Sequence, residues 1–242
     1  DLTSAWTPAD NNCATTRSSG NLGGPAPYWT DYSVDAATGN RLSATENPVT
    51  TGGVSTTDTY AYPVAAAAHP HAVQSVTHSG GATGTDSYLY DASGDTTSRP
   101  GQTLTYDSAA RLSTVTAGSD TQSLVYDASG SLLLQSDPVS GSTLYLGDTE
   151  LHVAAGSSTV TAVRTYSANG TPIAERSTSA GVSGSVVKWL ATDAQNSATL
   201  EVDRVSGVVT RRYVDPFGNT RGTAAAWSSS HGFLNKAVDA FT

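Results

Sequence analysis

One short signature recurs along this chain: an aromatic residue, an aspartate, then a turn that usually contains glycine. It reads YLYDASG at 88–94, LTYDSAAR at 104–111 and LVYDASG at 124–130. A unit this short cannot bury a hydrophobic face by itself, so a chain built from it must stack copies side by side. Looser copies are YSVDAATGNRL (32–42), the pair Tyr60 and Tyr62, LYLGDTEL (144–151), RTYSANGTP (164–172), VKWLATDAQNS (187–197) and RRYVDPFGNTR (211–221). With Tyr90, Tyr106, Tyr126, Tyr145, Tyr166, Trp189 and Tyr213 as anchors, the spacings are 16, 20, 19, 21, 23 and 24 residues, one strand-turn-strand unit each.

Each part of the unit has a physical reason. Residues leading into the aromatic alternate, as in Tyr88-Leu89-Tyr90 and Leu104-Thr105-Tyr106, which is the period of an extended strand with one bulky face. Asp91, Asp107 and Asp127 follow, placed where a short carboxylate accepts hydrogen bonds from turn amides. Gly94, Gly130, Gly170 and Gly218 supply the positive φ that tight turns need. Turns are expected at Ala92–Gly94, Ser108–Arg111, Ala128–Gly130, Ala168–Gly170 and Pro216–Gly218. Strands pairing in order would send Tyr90, Tyr106, Tyr126, Tyr145 and Tyr166 to one side of the sheet. The repeated acids are thereby explained as turn chemistry.

The pattern resembles the YD-repeat, or Rhs, family, which includes bacterial polymorphic-toxin shells, insecticidal toxin-complex subunits and teneurins. The segments LYLGDTEL (144–151), 187–222 and WSSSHGFLNKAVDAFT (227–242) resemble the Rhs-associated core in its usual order, with DAQN at 193–196 in place of a DHxG-like tetrapeptide. The resemblance implies an all-β fold, a spiral of β-hairpins forming part of a hollow shell around a C-terminal toxin or effector cargo. It divides residues 1–242, read as one shell domain, into a long loop (6–29), hairpins (32–186) and the start of the core region (187–242). The partners it implies are the rest of a longer Rhs chain and that cargo, and the location is secreted or cell-surface. The chain begins at Asp1 without methionine and ends before the motif near which family members cut themselves. It is therefore expected to be an internal fragment, and not an enzyme.

Composition fits a strand-rich scaffold. Only 14% of residues are charged, and Lys188 and Lys236 are the only lysines. A net charge of −9 argues against a nucleic-acid surface, which needs positive potential. No apolar run is long enough to span a bilayer as a helix.

Cys13, the single cysteine, lies in the Pro/Gly/Asn/Ser-rich stretch 6–29. Family relatives often carry a cysteine in the preceding repeat, so the resemblance implies a disulfide partner outside this sequence, with a free thiol as the alternative. His69, His71 and His78, with Asp86, are the residues that could approach a metal, but Pro70 separates the first pair and no zinc-type spacing occurs. No metal or cofactor is expected. His152 and His231 are isolated and read as structural. GxSxG, HExxH, P-loop and helix-opening GxGxxG motifs are all missing, so no catalytic residue is assigned. Two other functions stay open: a carbohydrate-binding or adhesive module using Trp6, Trp29, Trp189 or Trp227, and part of a self-cleaving aspartyl protease whose motif lies downstream. The aromatics are expected mainly to fill the inner face of the sheet.

Overall fold

The computed structural model describes residues 2–227, 231–239 and 241. It divides into two compact units, Asp1–Gln102 with Asp215–Thr223, and Thr103–Val214 with Ala224–Thr242. The first unit holds a six-stranded antiparallel sheet in chain order: β1 (Ser4–Trp6), β2 (Trp29–Val34), β3 (Arg41–Glu46), β4 (Thr56–Ala61), β5 (Ser75–Gly80) and β6 (Gly84–Ser87). A short hairpin follows, of β7 (Leu89–Tyr90) and β8 (Thr96–Arg99). In the second unit β9 (Gln102–Tyr106), β10 (Leu112–Ala117), β11 (Asp120–Tyr126), β12 (Leu132–Asp137), β13 (Gly141–Leu146) and β14 (Thr149–Ala154) lead on to β15 (Val160–Ala168), β16 (Thr171–Ser179), β17 (Val186–Thr192), β18 (Ala198–Asp203) and β19 (Val209–Arg211). These also neighbour one another strictly in chain order. Helix among the described residues is limited to 3-10 turns at Ser19–Asn21 and Phe233–Asn235.

The five expected turns fall where the sequence places them, and aspartates close all but the one at Ala168–Gly170. Asp91 Oδ1 accepts from the amides of Ser93 and Asp95 at 2.8 and 3.0 Å, and Asp127 Oδ1 from Ser129 and Ser131 at 2.8 and 2.9 Å. Asp107, Asp193 and Asp215 repeat this arrangement. Each such turn needs one left-handed residue three positions after the aspartate. Gly94, Gly130 and Gly218 take it at φ of 92°, 87° and 91°, but Asn196 takes it at 64° and Ala110 at 56°. Asn196 thus does the work of the family glycine in DAQN. An alanine has no local compensation for a left-handed backbone, which costs a Cβ residue roughly 1–2 kcal/mol. Ala110→Gly is accordingly expected to stabilise the second unit by about 0.5–1 kcal/mol, read as a raised urea midpoint with an unchanged slope.

The expectation that the aromatic anchors share one side is corrected by the register. Tyr145 pairs with Glu150, and Glu150 with Val163. Tyr166 lies three residues beyond Val163 on the same strand, and an odd step in a strand reverses the face. Tyr166 instead lines up with Ala174, Trp189, Val202 and Val209 on the opposite side. Trp189 is 51% exposed there and Tyr166 40%, so these two do not fill an inner face. The repeat keeps the place of its turns but not the phase of its aromatics, because hairpin arms of different lengths absorb odd numbers of residues.

A second regularity links neighbouring hairpins. The arginine that ends a turn lays its guanidinium on an aromatic ring of the next unit: Arg41 lies 4.5 Å from the Tyr60 ring centre and Arg111 5.0 Å from that of Tyr126. Arg111 is also tied back to its own turn, with Nη2 2.8 Å from Asp107 Oδ2. Charge and ring attract through the ring quadrupole, worth about 0.5–1 kcal/mol at partly exposed sites. Tyr126 completes the link by donating its hydroxyl to the Leu112 carbonyl at 2.9 Å.

Candidate functional site

The second unit buries an unusual surface. Its sheet has an apolar face, carrying in-register rows such as Val125, Leu134, Leu144, Leu151 and Ala162, yet the deeply buried side chains are mostly polar and lie on the other face. Gln122, Glu175 and Glu201 are 0%, 3% and 1% exposed, and Glu150 and Asp137 are also buried. Alternation puts Gln122, Gln135, Tyr145, Glu150, Glu175, Lys188 and Glu201 on this one polar face.

What covers it is the segment 231–239. Asp239 Oδ1 accepts from Gln122 Nε2 at 2.9 Å, from Gln135 Nε2 at 2.8 Å and from the Phe241 amide at 2.9 Å. Leu234 donates its amide to Ser197 Oγ at 2.9 Å, and Arg212 Nη2 donates to the Gly232 carbonyl at 3.4 Å. His231 Nδ1 lies 3.1 Å from Glu150 Oε1. A buried carboxylate is tolerable only when paired. Lys188 pairs with Glu201 and stands directly opposite Glu175 in register, while Arg212 adds positive potential for both glutamates. Arg212 is itself packed on Trp227, 4.1 Å from the ring centre. Burial, with Glu150 and Asp239 nearby, pushes the Tyr145 hydroxyl up to about 12.

Beside the segment is a pocket of about 290 Å³ walled by Gln135, Asp137, Tyr145, Glu150, His152 and Val238, among others. Its groups are mostly engaged with each other: Tyr145 donates to Gln135 Oε1 at 3.1 Å, and Thr143 Oγ1 lies 2.9 Å from His152 Nδ1. His152 and His231, both read from sequence as isolated, thus face the same polar surface. Neither Asp239 nor the glutamates carried a local signal, since their partners lie tens of residues away and a sequence shows no register.

In the first unit the three histidines go to separate partners. His69 Nε2 meets the Ala92 carbonyl at 3.2 Å, and His71 Nδ1 meets Asn40 Oδ1 at 2.7 Å. His78 bridges three strands, Nδ1 to Asp58 at 2.7 Å and Nε2 to Asp86 at 3.1 Å. Among the described residues no group of His, Cys, Asp and Glu side chains is arranged to hold a metal. Cys13 is an exposed thiol.

With both ring nitrogens on carboxylates, His78 favours its charged form, and the hydrogen bonds to Asp58 and Asp86 raise its pKa. A raised histidine stabilises the fold fully below about pH 6.5 and loses that contribution as pH rises through the folded-state value. Amides of β5 and β6 are therefore expected to lose exchange protection, corrected for intrinsic rates, above neutral pH. His78→Gln should flatten that dependence. Equal protection across the range would show that the bridge does not hold the strands.

No family model and no curated relative matches the chain. Solved structures do. A crystal structure of TcdB2-TccC3-Cdc42 superposes at a TM-score of 0.61 with 16% identity over 87% of this chain, and one of TcdB2-TccC3-TEV at 0.59 with 17% identity over 88%. The Tc holotoxin pore of Photorhabdus luminescens gives 0.59 and 16% over 88%. This chain has the fold of those toxin-complex proteins. It spans only 13% of the length of each matched chain. The Rhs/YD-repeat reading of the hairpins is borne out at the level of that fold, as is the all-β class. Among the described residues no helix is long and apolar enough to cross a membrane.

Proposed function

We propose that this chain is a wall segment of a secreted or surface Rhs/YD-repeat shell that encloses a C-terminal toxin or effector cargo, and that its role is mechanical and not catalytic. The observation that carries this reading is the fold likeness to toxin-complex chains of which it spans 13%, together with hairpins that pair in unbroken chain order from β9 to β19. A wall works by leaving no unpaired backbone for a protease to engage. The aspartate turns serve that end, since each carboxylate satisfies amides that strand pairing cannot reach.

The test uses a longer chain that carries both this segment and a C-terminal domain. Limited proteolysis is expected to spare the C-terminal domain in the wild type and to cut it when the wall is loosened by Tyr126→Ala. Cleavage at the same rate in both would remove enclosure from the reading. A second reading, adhesion, is favoured by one observation, the exposed Trp189 and Tyr166 on the apolar face. Binding on a glycan array that disappears with Trp189→Ala would select it instead.

A further inference from the structure

The segment from His231 to Asp239 has little regular structure of its own. It closes through the Gly232 amide to the Lys236 carbonyl at 2.7 Å and a bridge between His231 and Ala237. Leu234 and Asn235 sit at φ of 56° and 54°, left-handed values that neighbouring contacts must enforce. Those contacts are with the sheet, at Ser197, Arg212, Glu150, Gln122 and Gln135.

We propose that this segment is a proton-sensitive strap on the polar face: a charged His231 closes it through Glu150, and a neutral His231 loosens it. The groups that face the imidazole are Glu150 from β14, Glu175 from β16 and Arg212 following β19. Two carboxylates against one guanidinium leave a local negative balance, which favours a cation. Tyr145, with its hydroxyl far above neutral range, stays uncharged beside them. Lys188 is committed to Glu201 and does not neutralise Glu150. The interaction with Glu150 raises the imidazole pKa, burial opposes it, Glu175 adds and Arg212 subtracts. Since the strapped state holds the proton more tightly than the released one, strapping is favoured at low pH and weakens as pH rises through the strapped-state value. Release would uncover Glu150 and the adjoining pocket without disturbing the sheet. The strap is a property of the chain by itself and stands whether or not the wall encloses cargo.

Hydrogen exchange on the full 242-residue chain at about pH 6 and about pH 8.5, corrected for intrinsic rates, reads this directly. Protection of the 231–239 amides is expected to fall about tenfold for each unit by which strapping raises the His231 pKa, while β13 and β14 keep theirs and report that the unit remains folded. His231→Lys, charged at both pH values, should keep the segment protected and remove the pH dependence. His231→Gln should leave it weakly protected at both. Equal corrected protection at the two pH values in the wild type would overturn the proposal, as would a wild-type pH dependence surviving in His231→Gln.

Discussion

Replacing Lys188 with alanine is expected to destabilise the second unit by about 3 kcal/mol, the lower end of what removing one partner of a buried ion pair costs. Glu201 is 1% exposed, and its second oxygen has no hydrogen-bond partner, so its charge depends on Lys188. Glu175 stands opposite the same lysine in register, but Arg212 also lends it positive potential, so the carboxylate that losing the ammonium strands is that of Glu201. The Lys188 side chain is 24% exposed, which lets water approach the gap and keeps the loss from the top of the range. Glu201→Gln is expected to cost less, about 1 kcal/mol, because the lysine it abandons can reach solvent. The double variant Lys188→Met with Glu201→Gln should recover much of the loss, since a neutral pair of similar volume avoids stranding a charge. Urea melts of the three variants decide the matter. A Lys188→Ala loss below about 1 kcal/mol would mean that Arg212 alone satisfies both glutamates.

The turns after Asp91, Asp107, Asp127 and Asp215 were legible because each is written within five consecutive residues: aspartate, two variable positions, a left-handed residue, and the residue whose amide closes the ring. The turn at Ala168–Gly170 has no aspartate and was marked by its glycine. At 193–196 the sequence showed only a departure from the DHxG-like pattern, and the left-handed Asn196 came from the structure. Ala110 was hidden too, since alanine announces no left-handed backbone. The faces of the sheet were not legible. Tyr145 and Tyr166 look equivalent by spacing, yet the odd step beyond Val163 sends them to opposite sides. The candidate site was hidden more deeply still. Gln122 and Asp239 are 117 positions apart, and a buried glutamine beside an aspartate has no motif. Glu150, Glu175 and Glu201 occur in alternating stretches that read as ordinary half-exposed strands, and only a covering segment makes them interior. The arginines that end the turns carried only a loose signal, since Arg41 stands six residues after Asp35 and Arg111 four after Asp107. The ring each one reaches belongs to the following hairpin, and naming it required knowing that hairpins pair in order.

The largest backbone effect is expected at a glycine outside the repeated motif. Gly141 opens β13 at φ 103°, directly opposite Ala154, and a Cβ there would lie 2.1 Å from the Val153 carbonyl oxygen and 2.6 Å from the Ala155 nitrogen. Both obstacles are backbone of the paired strand and cannot rotate aside, so Gly141→Ala must push β13 from β14 or force a different backbone path. The expected loss is about 3 kcal/mol or more, strain and steric overlap together. Gly130 provides the control. Its φ of 87° is equally left-handed, but a Cβ there meets nothing within 4 Å, and Gly130→Ala should cost only about 1 kcal/mol of conformational strain. Gly94 falls between, because the nearest obstacle to its Cβ is the His69 ring at 2.9 Å, a side chain that can swing away. Because β13 and β14 carry Tyr145 and Glu150, Gly141→Ala should also loosen the polar face, and the 231–239 amides are expected to exchange faster in it than in Gly130→Ala. Equal stability losses for Gly141→Ala and Gly130→Ala would mean that the β13 to β14 pairing tolerates displacement, and that positive φ alone sets the cost at both positions.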